Sequence, residues 1–317
     1  KVLAKFISYY LLPSLLTIII FDIILSIIGF GYIKDNLEQE IFRYPSPGDT
    51  FTAKPDVRDH NQFGFRGKFK NDIDSISIAF FGGSTGYAGD PSIPEIIKKN
   101  LNFNQFKVNV FNYSTVSSNH TQHIHRLIKF HDKFKYDFVI FYGGFNETLQ
   151  YTRYDPRIGY PYNFYFNQEL NTFMQILLKY SSIFGEIDKR TGYLSGIKKL
   201  NMITKKDNWK TKIIDNYWRD LITAKKISEK LLKVNKCKKT SFISITQPIN
   251  PLTQSESKIW DNLKKSIELK DKSWHYDFTS LEHQVIFKDQ VHIDQTSKEF
   301  IAKKIAIIIN KLITKNC

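Results

Sequence analysis

The sequence has only two cysteines in 317 residues, Cys237 and Cys317. Neither belongs to a Cys-x-x-Cys pair, which excludes zinc ribbons and thioredoxin-type redox motifs. Two free thiols are expected, with a single disulfide as the alternative in an oxidising compartment. Internal repeats, low-complexity tracts, RNA-binding aromatic motifs and basic zippers are absent. Acidic residues are in short supply: 31 Asp and Glu against 46 Lys and Arg give a formal net charge of +15. The lysines are spread along the chain rather than gathered in one block. The excess therefore reads as composition more than as a surface for an anionic partner, and nucleic acid is not expected. Apolar and aromatic residues are abundant: 42% of the chain is hydrophobic, with 26 Phe and 17 Tyr. That supports a sizeable core and argues against global disorder.

The longest apolar run is Phe6 to Tyr32, enough to cross a hydrocarbon core, which takes about 20 residues. Asp22 interrupts it. A mid-membrane Asp costs about 2.5–3.5 kcal/mol on insertion scales, and each Ile, Leu or Phe returns about 0.3–0.6. The apolar neighbours outweigh it. Asp22 marks either a helix–helix contact inside the membrane or a tolerated charge near a kink. The run is long for a cleaved signal peptide and no small-x-small cleavage site follows, so an uncleaved anchor over residues 1–32 is expected. Lys1 and Lys5 precede it; Asp35, Glu38 and Glu40 follow. This charge bias orients the N-terminus to the cytoplasm and the remainder to the extracytoplasmic side, facing a bacterial periplasm or the cell exterior.

Residues 33–75 are polar and turn-rich, with Pro45, Pro47, Gly48 and Pro55, and read as a stalk and lead-in. Short apolar runs then alternate with amphipathic stretches. Strands are predicted at Ser75–Phe81, Lys107–Asn112, Asp137–Tyr142, Thr240–Ile245 and Trp274–Phe278. Helical spacing appears at Thr121–Phe134, Ile213–Val234 and Thr296–Ile313. This alternation predicts an α/β domain over residues 76–317, with a parallel sheet covered on both faces. Such sheets carry chemistry on the loops beyond the carboxyl ends of their strands. Residues 150–210 break the rhythm and read as an insertion. Its aromatic run, Tyr151 to Phe166, suits either stacking on sugar rings or a small satellite core.

Three post-strand segments concentrate reactive residues. Ser84 follows Gly82 and Gly83 at a strand-to-loop junction, which suits a nucleophile approached closely by a substrate carbonyl, though any flexible turn has this composition. Asn146 follows the third strand in Gly143-Gly144-Phe145-Asn146-Glu147; it can donate to a developing oxyanion or cap the next helix. Asp289 and His292, three residues apart, can share a turn in which the carboxylate orients the imidazole. Asp277 is a rival orienter. His120, His123, His125 and His131 cluster around one predicted helix, but no carboxylate or Cys pair completes a metal site, so no metal or cofactor is expected. Cys237, without a partnered His, is a poor nucleophile.

In this order the segments resemble the SGNH or GDSL-like hydrolase superfamily. Ser84 in FFGGST resembles its nucleophile block, Gly144-Phe145-Asn146-Glu147 its Gly-x-Asn-Asp block with Glu last, and Asp289-x-x-His292 its Asp-x-x-His block. Asn61–Gly67 (NQFGFRG) and Gln247-Pro248 fit membrane-linked members. The resemblance covers about residues 60–317 apart from the insertion. It implies a flavodoxin-like α/β/α sandwich, with Ser84 as nucleophile, His292 as base and Asp289 as orienter. The oxyanion donors it implies are the Ser84 backbone N–H, a second-block N–H at Ser117 and Asn146. Ser117 stands where the family has Gly, so a positive φ there would strain a Ser. The implied activity is ester hydrolysis or O-acetyl transfer on extracytoplasmic glycans, with a membrane protein as a further partner. A lipase-like esterase and a glycan-binding module that has lost turnover are the alternatives.

Overall fold

The computed structural model describes residues 2–31, 41–42, 44–46, 50–70, 72, 74–101, 107–148, 172–191, 194, 209–251, 257–270 and 272–317. The aromatic run from Tyr151 to Phe166 lies outside them. The chain divides into two compact units, one of Lys1–Ile41 with Asn163–Lys205 and one of Phe42–Tyr162 with Lys206–Cys317.

The larger unit is α/β. Five parallel strands form one sheet: β3 (Ser75–Gly82), β4 (Lys107–Asn112), β5 (Phe138–Gly143), β6 (Ser241–Thr246) and β7 (His275–Asp277), in the order β4-β3-β5-β6-β7. All five predicted strands are present: β4 has its predicted bounds, β3 is one residue longer, β5 and β6 are shifted by one residue, and β7 is shorter by one at each end. Every residue of β3 and β5 is buried, as expected of strands covered on both faces. Alternation along β3 sends Ala79 and Phe81 into one core and Ile76, Ile78 and Phe80 into another. The first core is closed by the helices His120–Phe130, Trp209–Leu231 and Ser257–Glu268, through Leu127, Trp218, Leu221 and Leu263. The second is closed by Ile93–Asn100 and Gln295–Asn316, through Ile97, Ile301, Ile305 and Ile309.

Two expectations need correction. The segment read as a stalk joins the larger unit from Phe42 onward. A short antiparallel pair, β1 (Tyr44–Ser46) and β2 (Thr50–Thr52), forms there, and Phe51 and Phe65 are fully buried. The cysteines are not free thiols: Cys237 and Cys317 form a disulfide, 80 residues apart in sequence.

In the smaller unit, Val2–Phe6, a π-helical turn Ile7–Leu11 and Leu12–Ile27 form the N-terminal helical run. Pro13, lacking an N–H and crowding the carbonyl one turn back, accounts for the π turn. Ile7–Ile27 is long and apolar enough to cross a membrane, with none of it buried. Two helices of the insertion, Thr172–Tyr180 and Ser182–Thr191, belong to the same unit.

Candidate functional site

In sequence order the five parallel strands are arranged 2-1-3-4-5, so the strand order reverses direction between β3 and its two neighbours. Ligands of open α/β sheets bind beyond the carboxyl ends of the strands at such a reversal. The loops after β3, β4 and β5 carry Ser84, Ser117 and Asn146.

Ser84 opens a single helical turn, Ser84–Tyr87, directly after β3. Gly83 before it has an ordinary φ of −81°, so the glycine is not there for left-handed backbone. It is there for space: a Cβ on Gly83 would stand 2.3 Å from Asn146 Nδ2. Thr85 Oγ1 donates to Gln247 Oε1 at 2.9 Å, which gives the Gln247-Pro248 feature a structural role. Arg66, from NQFGFRG, donates to the Tyr87 and Gly89 carbonyls and pairs with Asp59. The turn carrying Ser84 is thus held from both sides.

His292 lies 208 residues beyond Ser84 in sequence, yet its Nε2 is 2.7 Å from Ser84 Oγ. Its Nδ1 is 2.6 Å from Asp289 Oδ2. The other carboxylate oxygen of Asp289 accepts from the backbone N–H groups of Val291 (2.9 Å) and His292 (2.7 Å). Burial alone would push the Asp289 carboxyl up, but these N–H donors and the imidazole outweigh it and hold it below its ordinary value. Asp289 is therefore ionised and, held by its own loop, keeps the His292 ring aimed at Ser84. Asn250 steadies that loop by donating to the Asp289 and Gln290 carbonyls. Asp277, the rival orienter, accepts from the N–H of Thr279 and closes a turn at the end of β7.

Ser117 has φ +66°, the left-handed region that a Gly would occupy without penalty. Asn146 Nδ2 donates to the Ser118 carbonyl at 2.7 Å. That leaves one amide N–H of the two, close to Gly83.

Behind Asn146 is a buried polar cluster that was only half legible in the sequence. His120 and His123 are fully buried, while His125 is exposed and His131 half-exposed. The missing carboxylate is Glu147, brought up by the turn after β5; this corrects the expectation that none completes the histidine group. His120 Nδ1 stands 3.2 Å from Glu147 Oε1 and 3.3 Å from His123 Nδ1. Glu147 Oε2 accepts from Gly144 N–H at 2.6 Å. Burial pushes the Glu147 carboxyl up to about 7, and burial with the neighbouring His275 pushes His120 down to about 3.

The three residues offer ligand atoms within 4.8 Å of one another. Ser118 Oγ lies within hydrogen-bond distance of the Gly82 and Thr115 carbonyls and 3.0 Å from His123 Nε2. Two buried atoms of the cluster, His120 Nε2 and Glu147 Oε1, have no hydrogen-bond partner among the described residues.

No protein-family model matches the chain, and no curated protein matches it.

Proposed function

We propose that the chain is a serine esterase or O-acyltransferase of the SGNH type, built on a flavodoxin-like α/β/α sandwich. The observation that carries this reading is the continuous relay Asp289–His292–Ser84, with contacts of 2.6 and 2.7 Å, at the sheet's reversal point.

In the mechanism His292 Nε2 takes the Ser84 proton as Oγ attacks an ester carbonyl. The imidazolium that forms is stabilised by ionised Asp289. The oxyanion is received by the remaining Asn146 N–H, with the backbone N–H groups of Ser84 and Ser117 as the further donors. Collapse expels the alcohol, which takes its proton from His292, and leaves an acyl-Ser84. Water or a sugar hydroxyl, deprotonated by the same imidazole, then releases the acyl group. His292 and Asp289 have side chains 34% and 54% exposed, so a bulky glycan can reach them.

We place the domain outside the cytoplasm, anchored by Ile7–Ile27. The disulfide supports an oxidising compartment, and the apolar helix supports the anchor. The substrate we favour is an acetyl or other short acyl ester on a surface glycan.

The test is p-nitrophenyl acetate hydrolysis and fluorophosphonate labelling by the full chain in detergent, beside Ser84→Ala. Wild type should label and turn over, and the variant should lose at least about 10³-fold in kcat with its fold intact. Absence of labelling in folded wild-type protein would overturn the reading.

A further inference from the structure

Asp22 is the one charge inside the apolar span, and its carboxylate is occupied. Asp22 Oδ1 accepts from Ile183 N–H at 2.7 Å and from Ser181 Oγ at 3.0 Å. Both donors lie at the start of the helix Ser182–Thr191. Ser181 Oγ in turn accepts from Phe184 N–H. The opening turn of an amphipathic helix is thus capped by a side chain of the membrane-length helix. Further along, Lys189 Nζ donates to the Gly31 carbonyl. Gly31 sits against Ser182 so closely that a Cβ would meet Ser182 Cα at 2.6 Å.

The position of Asp22 sets the depth of this contact. It lies five residues before Ile27, the end of the apolar span. At 1.5 Å per residue that is about 7.5 Å inside the boundary. Backbone N–H groups at such a depth need an acceptor, because no water is there to provide one; a carboxylate at that depth needs donors. Each meets the other's need.

The two insertion helices also carry exposed apolar side chains. Phe173, Ile176 and Tyr180, at i, i+3 and i+7, are 66%, 51% and 63% exposed, and Phe184 and Ile187, three apart, are 38% and 45% exposed. That spacing is one stripe per helix. The helix Ser182–Thr191 packs directly against the helix Leu12–Ile27 of the span, whose own apolar side chains are exposed.

We propose that the helical pair Thr172–Ser181–Thr191 is an interfacial membrane hairpin, with its apolar stripes in the acyl region of the bilayer on the Ile27 side and its depth fixed by Asp22. The proposal rests on the anchor reading above but not on the esterase reading. It gives the insertion a lipid surface as its partner and makes the anchor a helix with a docked collar rather than a lone span.

The experiment uses the full chain in phosphatidylcholine–phosphatidylglycerol vesicles. The native cysteines are paired, so single cysteines can be labelled with an environment-sensitive fluorophore at Ile187, Phe173, Ile20 and the exposed Ile286 of the larger unit. Quenching by shallow doxyl lipid is compared with quenching by aqueous iodide. Ile187→Cys and Phe173→Cys should be quenched several-fold more by lipid than by iodide, and Ile286→Cys the reverse. If Ile20→Cys is lipid-quenched while Ile187→Cys and Phe173→Cys follow iodide, the hairpin proposal is overturned and the anchor stands. If Ile20→Cys follows iodide, the anchor itself fails and the proposal with it. Asp22→Leu, which makes the span more apolar, should raise deuterium exchange over residues 181–187 at least tenfold. Unchanged exchange there would overturn the depth-setting role of Asp22.

Discussion

Asn146 stands where two demands on one side chain meet. One amide N–H is committed to the Ser118 carbonyl, and the proposed mechanism assigns the other to the oxyanion. Asn146→Ala should therefore lower kcat by about 10²–10³ while leaving KM nearly unchanged, since the lost bond forms chiefly in the transition state. Steady-state kinetics on the nitrophenyl ester decides it. Ser117 poses a different question, of strain rather than donation. Its φ of +66° costs an L-residue about 1 kcal/mol relative to glycine, partly offset by glycine's greater unfolded-state entropy. Ser117→Gly should keep its backbone N–H, retain activity and raise stability by up to about 1 kcal/mol, as read by urea denaturation. A large loss of stability would show that the Ser117 hydroxyl holds the loop.

Among the elements, the loop between the helix Trp209–Leu231 and β6 is heavily tied. Asp137, fully buried just before β5, accepts through Oδ1 from the N–H groups of Asn235, Lys236 and Cys237, and through Oδ2 from Ser77 N–H. One carboxylate thus joins β3, β5 and the loop that holds the disulfide. Asp137→Ala would leave four N–H donors without their acceptor. Two of them, from Ser77 and Cys237, are buried, and each orphaned buried donor costs about 1–3 kcal/mol, so the variant should lose at least about 2 kcal/mol, measured as a shift of the urea midpoint at constant slope. Asp137→Asn, which keeps one carbonyl acceptor, should lose less. In the Asp289–His292 turn, by contrast, one carboxylate oxygen is satisfied locally, by N–H groups two and three residues on, although Asn250 also holds the turn's carbonyls. That local closure is why the pair could be read from spacing alone.

At the level of the whole molecule, the buried Glu147 links folding to pH. Its carboxyl is raised from the ordinary 4.5 to about 7 in the folded chain, chiefly by burial. Between those values the folded state binds more protons than the unfolded one, so stability falls as pH rises through that window and levels off above it. The full contribution is about 3 kcal/mol at 1.36 kcal/mol per unit. Glu147→Gln should remove this slope. The difference in unfolding free energy between wild type and variant, taken at pH 4.5 and pH 8, isolates Glu147 from the other titrating groups. A difference that stays constant across that range would mean that Glu147 is ionised in a solvated or cation-bound state.

The apolar span, all five strands and the two polar segments around Ser84 and Asp289–His292 were determined by the sequence itself. Each is a local pattern: an unbroken apolar run, β-rich stretches between helical spacings, or a carboxylate close enough to its histidine to share a turn. Tertiary structure decided what depends on partners far apart in the chain. It set Ser84 against a histidine 208 residues away and packed the supposed stalk into the sheet's unit. It brought Glu147 to His120 and His123, and it joined Cys237 to Cys317. It also gave Asp22 its donors, 159 and 161 residues on. Local backbone preferences and periodicity are properties of neighbours in sequence. Burial, and with it the meaning of a lone charge or a spare histidine, depends on what the folded chain places beside it.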